Sequence, residues 1–200
     1  MDTANFDKLQ EEKRHSIIKA GILCFGRNGY KKASIADIAA EAGVSKAAIF
    51  HYFEAKKNIY LYLYSYAFNE LLAGQTEGTD DFFECLEIEI QNRVRLNAKY
   101  PGMYEFLLLQ TRKKDYENIE ELSGLESEII ERSRAILFGK VDWSRFQEGC
   151  NRETILNMAT WIITGCLSQF SEALAAAEVY SEVKRYAAIL KKALYKPEYL

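Results

Sequence analysis

The stretch at 34–53, SIADIAAEAGVSKAAIFHYF, constrains this chain more than any other. It spells two short helices around a glycine turn. Ser34 is placed to cap the first helix, and Asp37 three residues on completes a capping box. Ile35, Ile38, Ala39 and Ala42 recur at i, i+3, i+4 and i+7, so that helix buries one face. Gly43 stops it, because glycine takes left-handed backbone without a Cβ clash. Val44 returns to the core, and Ser45 caps the second helix. Helix pairs of this size with a tight glycine turn form the helix-turn-helix, which lays its second helix in the major groove of DNA.

The faces of that second helix follow from 100° per residue. Ile49 and Phe53 point together and face inward, which sends Ala47, Ala48 and His51 outward. Lys46 stands at the helix N-terminus, where base edges are met. Phe50 and Tyr52 flank the outward face near the phosphates, and Lys56 is spaced for a phosphate contact. The alanines keep the helix surface low and present methyl groups suited to thymine. The candidate DNA-binding residues are therefore Ser34, Ser45, Lys46, Ala47, Ala48, Phe50, His51, Tyr52 and Lys56.

The order IAxxAGVSKxxIFHYFxxK, preceded by an amphipathic helix ending FGRNGY, resembles the TetR family of bacterial transcriptional regulators. The resemblance is specific over residues 13–63; beyond them it rests on length, helical pattern and hydrophobic helices near the C-terminus. Phe50 stands where the family often has tyrosine, and Lys57 where it often has an acidic residue. The resemblance implies an all-α fold. Residues 1–55 form a three-helix helix-turn-helix domain, and a helix links it to a helical bundle, 56–200, for effector binding and dimerisation. It further implies a homodimeric repressor that binds a palindromic double-stranded DNA operator and is released by a small hydrophobic effector. No cofactor is implied.

Net charge is −3, which suits a DNA binder only once it is divided. Residues 1–57 hold ten Lys/Arg against seven Asp/Glu; residues 58–200 hold sixteen against twenty-two. The basic excess thus sits with the helix-turn-helix, and dimerisation doubles it. With 48% hydrophobic residues the chain can bury a core, and its two prolines, Pro101 and Pro197, leave long helices unbroken. The densest apolar stretch, about Met158 to Phe170, is too short to span a bilayer, and with no charged–apolar–small signal ahead of the fold no leader is expected. The expectation is a soluble cytoplasmic protein with no membrane partner. Cys24, Cys85, Cys150 and Cys166 show no metal-ligand spacing with the two histidines and should be reduced. Cys24 falls on an apolar helix face. Cys150 and Cys166 are read as ordinary packing rather than oxidant sensors.

Along the chain, helix signals run from Lys8 to Asn28, with Gly29 ending the run. Residues 59–66, IYLYLYSY, alternate with period two and on their own suggest a strand. Yet Ile59, Leu63, Tyr66, Ala67 and Leu71 keep helical spacing, and no partner strand exists in sequence, so the expectation is a helix over 56–73. Thr79 or Asp80 is placed to cap the next helix, striped by Phe83, Leu86, Ile90, Val94 and Asn97 up to Pro101. Met103–Leu109 is apolar nearly all round and should be buried. Tyr116, Ile119, Leu122, Ile129, Ile130, Ser133 and Leu137 mark a long helix ending near Gly139. A loop with a turn at DWSRF follows, then a helix capped by Asn151 and running to about Ala175. A last helix carries Val179, Val183, Tyr186, Ala187, Leu190 and Leu194 on one face.

The last two long helices offer more apolar surface than one core needs: Leu156, Ala159, Ile163, Cys166, Leu167 and Phe170, with Gly165 permitting close approach. The resemblance implies that they pair with their copies as a four-helix bundle, and a two-fold dimer matches a palindromic operator. Small-molecule sites are mostly apolar with a few polar anchors. Tyr66, Tyr100, Met103, Phe106, Gln110, Asn157 and Trp161 supply that mixture and are the candidate ligand-binding residues. An alternative is a helix-turn-helix dimer that coats DNA or binds a protein partner; many dispersed sites rather than a few operators would mark it. No phosphate loop, metal cluster or nucleophile–histidine–acid arrangement points to an enzyme.

Overall fold

Caps and glycines set the boundaries of the N-terminal helices. The structure, a computed structural model, describes residues 4–74, 78–107, 128, 131–168 and 176–200. A single helical turn, α1 (Ala4–Asp7), precedes α2 (Glu11–Lys32). Glu11 and Glu12 open α2 and Lys31 and Lys32 close it, each pair opposing the helix dipole. Gly29, at φ 68 and ψ 170, kinks the chain at the residue where the helix was expected to stop; three more residues then complete the element. α3 (Ile35–Glu41) and α4 (Lys46–Phe53) follow. α5 (Lys56–Gly74) is one continuous helix.

The alternating tyrosines of α5 show why a period-two run folds as a helix here. Residues 60 and 64 share one side of a helix, and 62 and 66 share the other. Tyr60 meets Phe25 at 4.9 Å and Phe106 at 5.4 Å, with Tyr64 beside Phe106 at 6.1 Å. On the opposite side, Tyr62 meets Phe6 at 5.1 Å and Phe53 at 5.5 Å. Both faces find aromatic partners, so the strand-like pattern is satisfied by a helix.

α6 (Phe82–Lys99) and the short α7 (Met103–Leu107) come next. The cap of α6 is neither Thr79 nor Asp80. Asp81 Oδ1 accepts from the backbone N–H groups of Phe83 (2.9 Å) and Glu84 (3.2 Å), while Thr79 Oγ1 accepts from that of Asp81. Asp81 prevails because its carboxylate is also paired with Lys191 at 2.6 Å. Residues 131–138 form α8. A 3₁₀ turn at Trp143–Arg145 stands where DWSRF marked a turn. Asn151 Oδ1 caps α9 (Arg152–Ser168) by accepting from Thr154 N–H at 3.1 Å. α10 (Ala176–Leu194) and a 3₁₀ turn at Pro197–Tyr199 complete the chain. Leu109, Gln110, residues 116–127, 129 and 130 of the expected long helix and Phe170 lie outside the described residues, as do the side chains of Cys166 and Leu167. Among the described residues there is no strand, only a bridge between Phe146 and Tyr195.

The chain packs as two units, Met1–Glu70 with Leu96–Ile129, and Leu71–Arg95 with Ile130–Leu200. In the first, α2 lies close against α5 and α7 because two glycines allow it. A Cβ at Gly21 would meet Leu63 Cδ1 at 2.4 Å, and one at Gly26 would meet the Gly102 carbonyl oxygen at 2.5 Å. In the second, Phe82 gathers Phe83, Phe138 and Phe146 within 5.6 Å. Tyr195 Oη accepts from Phe82 N–H at 3.0 Å, fastening the end of α10 to the start of α6. Burial pushes the Tyr195 phenol up to about 12. Cys24 and Cys85 are buried free thiols pushed up by that burial, which makes them poor nucleophiles.

Candidate nucleic-acid interface

The helix pair at 34–53 is built as its sequence dictates. Ser34 Oγ accepts from Asp37 N–H at 3.1 Å and donates to Asp37 Oδ2 at 2.7 Å. Gly43, at φ 66, turns the chain; its N–H reaches the Ala40 carbonyl, and that of Val44 reaches the Ala39 carbonyl at 2.9 Å. Those two bonds are the Schellman closure of α3. Val44 is only half-buried, less than its expected return to the core. Ser45 Oγ accepts from Ala48 N–H at 3.1 Å and starts α4.

Burial sorts the faces of α4. Ile49 is fully buried and Phe53 is 2% exposed, so both hold the inner face. Lys46, Ala47, Phe50 and His51 are exposed, while Ala48 and Tyr52 are half-buried. Lys46 Nζ lies 5.6 Å above the Phe50 ring, holding a charge at the N-terminal end of this face. His51 stands edge-on to Tyr52 at 5.2 Å. The result is a low central surface of alanine with a cation, an imidazole and aromatic rings around it.

Lys56, expected at a phosphate, has its ammonium engaged within the fold. Its Nζ donates to the carbonyl oxygens of Tyr30 (2.7 Å), Ala33 (3.0 Å) and Lys31 (3.3 Å), and sits 4.6 Å from the Tyr30 ring centre. An ammonium has three protons, and all three are committed. The carbonyls at the C-terminal end of a helix lack intrahelical partners and carry the negative end of its dipole. Lys56 therefore closes α2 and ties it to the first turn of α5. Just before it, Glu54 adopts φ 60 and ψ −37, and the N–H of Ala55 reaches the Phe53 carbonyl at 2.6 Å. This is a γ-turn with positive φ, a strained geometry for a non-glycine residue.

The candidate ligand-binding residues are divided between the two units. Tyr66, Tyr100, Met103 and Phe106 belong to the first unit, Asn157 and Trp161 to the second, and Gln110 lies outside the described residues. Met103 and Phe106 are core side chains at 1% and 0% exposure. Tyr66 and Tyr100 spend their hydroxyls on each other at 2.6 Å, and Tyr100 also reaches His15 Nε2 at 3.4 Å. Burial, then the bond to Tyr100, pushes the Tyr66 phenol well above its ordinary range. Asn157 accepts from Arg134 Nη2 at 3.2 Å. Trp161, named for its mixture of apolar body and polar tip, is 73% exposed on α9 rather than enclosed. Sequence reasoning passed over Phe6, a lone aromatic ahead of any periodic run that nevertheless packs under α4 at 4.7 Å from Phe53. It passed over Glu89 and Asn92 as well, polar residues buried on the inner face of α6 at 2% and 4% exposure.

Two capped helices about a glycine turn, with a small outward face ringed by cationic and aromatic groups, define a helix-turn-helix unit. Residues 17–63 match the model of the bacterial regulatory proteins of the tetR family. The transcriptional regulator HbdR of Aromatoleum sp. (strain CIB) is 46% identical over 52 residues, covering 26% of this chain and 23% of that protein. The transcriptional activator FasR of Mycolicibacterium smegmatis is 28% identical over 98 residues, covering 49% and 42%. The chain thus matches less than half the length of either relative. Over nearly the whole chain the fold is that of TetR-family transcriptional regulators. The one from Chloroflexus aurantiacus J-10-FL superposes with a TM-score of 0.62 at 20% identity, over 98% of this chain and 99% of that one. FadR of Bacillus subtilis, solved in complex with stearoyl-CoA, gives 0.59 at 19% identity over 86% and 96%. No enzyme family is indicated by any of these likenesses. No helix among the described residues is long and apolar enough to cross a membrane.

Proposed function

We propose that this chain is a homodimeric transcriptional repressor that binds a palindromic DNA operator through α4 and is released by a small molecule. The observation that carries the reading is the outward face of α4, where Lys46, Ala47, Phe50 and His51 are exposed on a helix whose other face is locked by Ile49 and Phe53. Residues 1–55 do the reading of DNA, with Ser34 and Ser45 holding the two helix starts and Ala47 and Ala48 approaching the bases. Residues 56–200 serve the effector and the second subunit. On α9 and α10 the exposed Trp161, Tyr186 and Ile189 supply apolar surface for a two-fold partner. For an effector, the support is a buried polar set on α6: Asn92 Nδ2 has no hydrogen-bond partner among the described residues. A buried orphan donor is costly, and a ligand carbonyl or hydroxyl oxygen on an otherwise apolar body would satisfy it.

The test is selection of bound duplexes from a random-sequence pool by the full chain. An inverted repeat with half-site centres about one helical turn (34–36 Å) apart is the expected product. Ala47→Leu should change the sequence enriched, while Lys56→Met should weaken binding with an unchanged salt slope, since its ammonium serves α2. A pool that stays random after repeated rounds would overturn the reading. A slope smaller by about one for Lys56→Met would restore the phosphate contact.

A further inference from the structure

The first turn of the chain has a task beyond covering the core. Phe6 in α1 is fully buried. Its ring lies 4.7 Å from Phe53, 5.7 Å from Tyr52 in an edge-on arrangement, and 5.1 Å from Tyr62, also edge-on. It is thus wedged between the inner face of α4 and the first turns of α5. Two polar bonds pin the turn that carries it. Tyr62 Oη donates to Asp7 Oδ1 at 3.0 Å, and Arg14 Nη1 donates to the Asp7 carbonyl oxygen at 3.0 Å. The Leu9 N–H closes the turn onto the Phe6 carbonyl at 3.1 Å.

Tyr52 is the residue most affected. It is half-buried because Phe6 covers one side of it, and His51 stands on another at 5.2 Å. A phenol on a bare helix surface samples several rotamers; one held between two rings does not. Holding a contact group in its bound geometry before the partner arrives removes an ordering cost from binding. We propose that Phe6 is a positioning residue for DNA recognition: α1 docks it beneath α4 and so fixes Tyr52 for its contact with the DNA backbone. The inference rests on the DNA-binding reading above.

The closing experiment separates the two. In the free protein, amide exchange across 50–54 is compared between the wild type and Phe6→Ala. Exchange there should quicken at least about tenfold while the amides of α3 stay unchanged. That measurement needs no DNA. On the selected duplex, a double-mutant cycle pairs Phe6→Ala with Tyr52→Phe. Tyr52→Phe should weaken binding several-fold in the wild-type background and have almost no effect in the Phe6→Ala background. Phe6→Leu keeps the apolar plug and should restore most of the affinity. Tyr62→Phe, which cuts the bond to Asp7 but keeps its ring, should lose part of it, and this variant carries the test if Phe6→Ala fails to fold. Unchanged exchange at 50–54, or independent effects of the two substitutions on a wild type that binds, would overturn the inference. A wild type that binds no duplex, with exchange changed as expected, would overturn the DNA reading and leave the docking of α1 standing.

Discussion

The outward faces of α4 and of the α9–α10 pair are both exposed, yet they differ in kind. On α4 the exposed residues are mixed: alanine at the centre, the Lys46 ammonium and the His51 ring around it, and Phe50 at 40% exposure. On α9 and α10 large apolar side chains stand out among charged ones: Trp161 is 73% and Ile189 59% exposed, and Lys184 and Arg185 are exposed as well. A surface that must approach the floor of a groove needs low relief and positive charge. A surface that must exclude water against another protein needs area, and aromatic side chains supply it. The same kind of element thus presents different surfaces, and exposure alone does not say what a helix is for.

The inner faces give the sharpest contrast with these outer ones. Ile49→Ala should cost about 2–5 kcal/mol, because it empties a fully buried site. Phe50→Ala one residue on should change stability by no more than about 0.5 kcal/mol. Chemical denaturation of the two variants checks this, and equal losses would mean that α4 is not seated as described.

On the other region, Trp161→Glu with Ile189→Glu should leave the helical content intact and convert a micromolar dimer to monomer. Each exposed apolar anchor of an interface contributes about 2 kcal/mol or more when it is a hot spot. Sedimentation equilibrium reads the outcome; a wild type that is already monomeric would break the comparison. Ile163, 7% exposed within the chain itself, is a poorer probe of that seam, since charging it would unsettle the subunit first.

The smallest effect concerns pH. Burial, then the bond to Asp7, pushes the Tyr62 phenol up to about 12 from an ordinary 10.0. The folded state therefore prefers the protonated phenol. Its contribution is complete below pH 10 and is lost as pH rises from about 10 to 12. Tyrosinate absorbance should show late-titrating groups, one of which Tyr62→Phe removes, and release of α1 should follow the same rise. Titration of all tyrosines together near pH 10 would place Tyr62 in water instead.

The α4 region was legible because its determinants lie within twenty residues: two serine caps, one glycine, and an apolar face at helical spacing. The helix over 56–73 was legible for a related reason, since a strand at 59–66 had nothing to pair with. Asp81 was missed as the cap of α6 because its choice over its neighbours depends on Lys191, 110 residues away. The bonds of Lys56 were not legible because spacing places its Cα without saying which acceptors its long side chain will find, and the three carbonyls near Tyr30 lie at the end of a different helix. The exposure of Trp161 was not legible because residue type suggests a ligand site while packing decides which side chains are enclosed.

The strained turn at Glu54 has a mechanical consequence. Only two residues separate α4 from α5, and the Phe53 carbonyl accepts both the Ala55 N–H at 2.6 Å and Asn58 Nδ2 at 2.8 Å. A longer or glycine-rich joint would have free play, and a small twist of one helix would be lost in it. Here the short, bonded joint leaves little room for backlash, so a roll at the start of α5 about its own axis should be passed on to α4 as a sideways sweep of its tip.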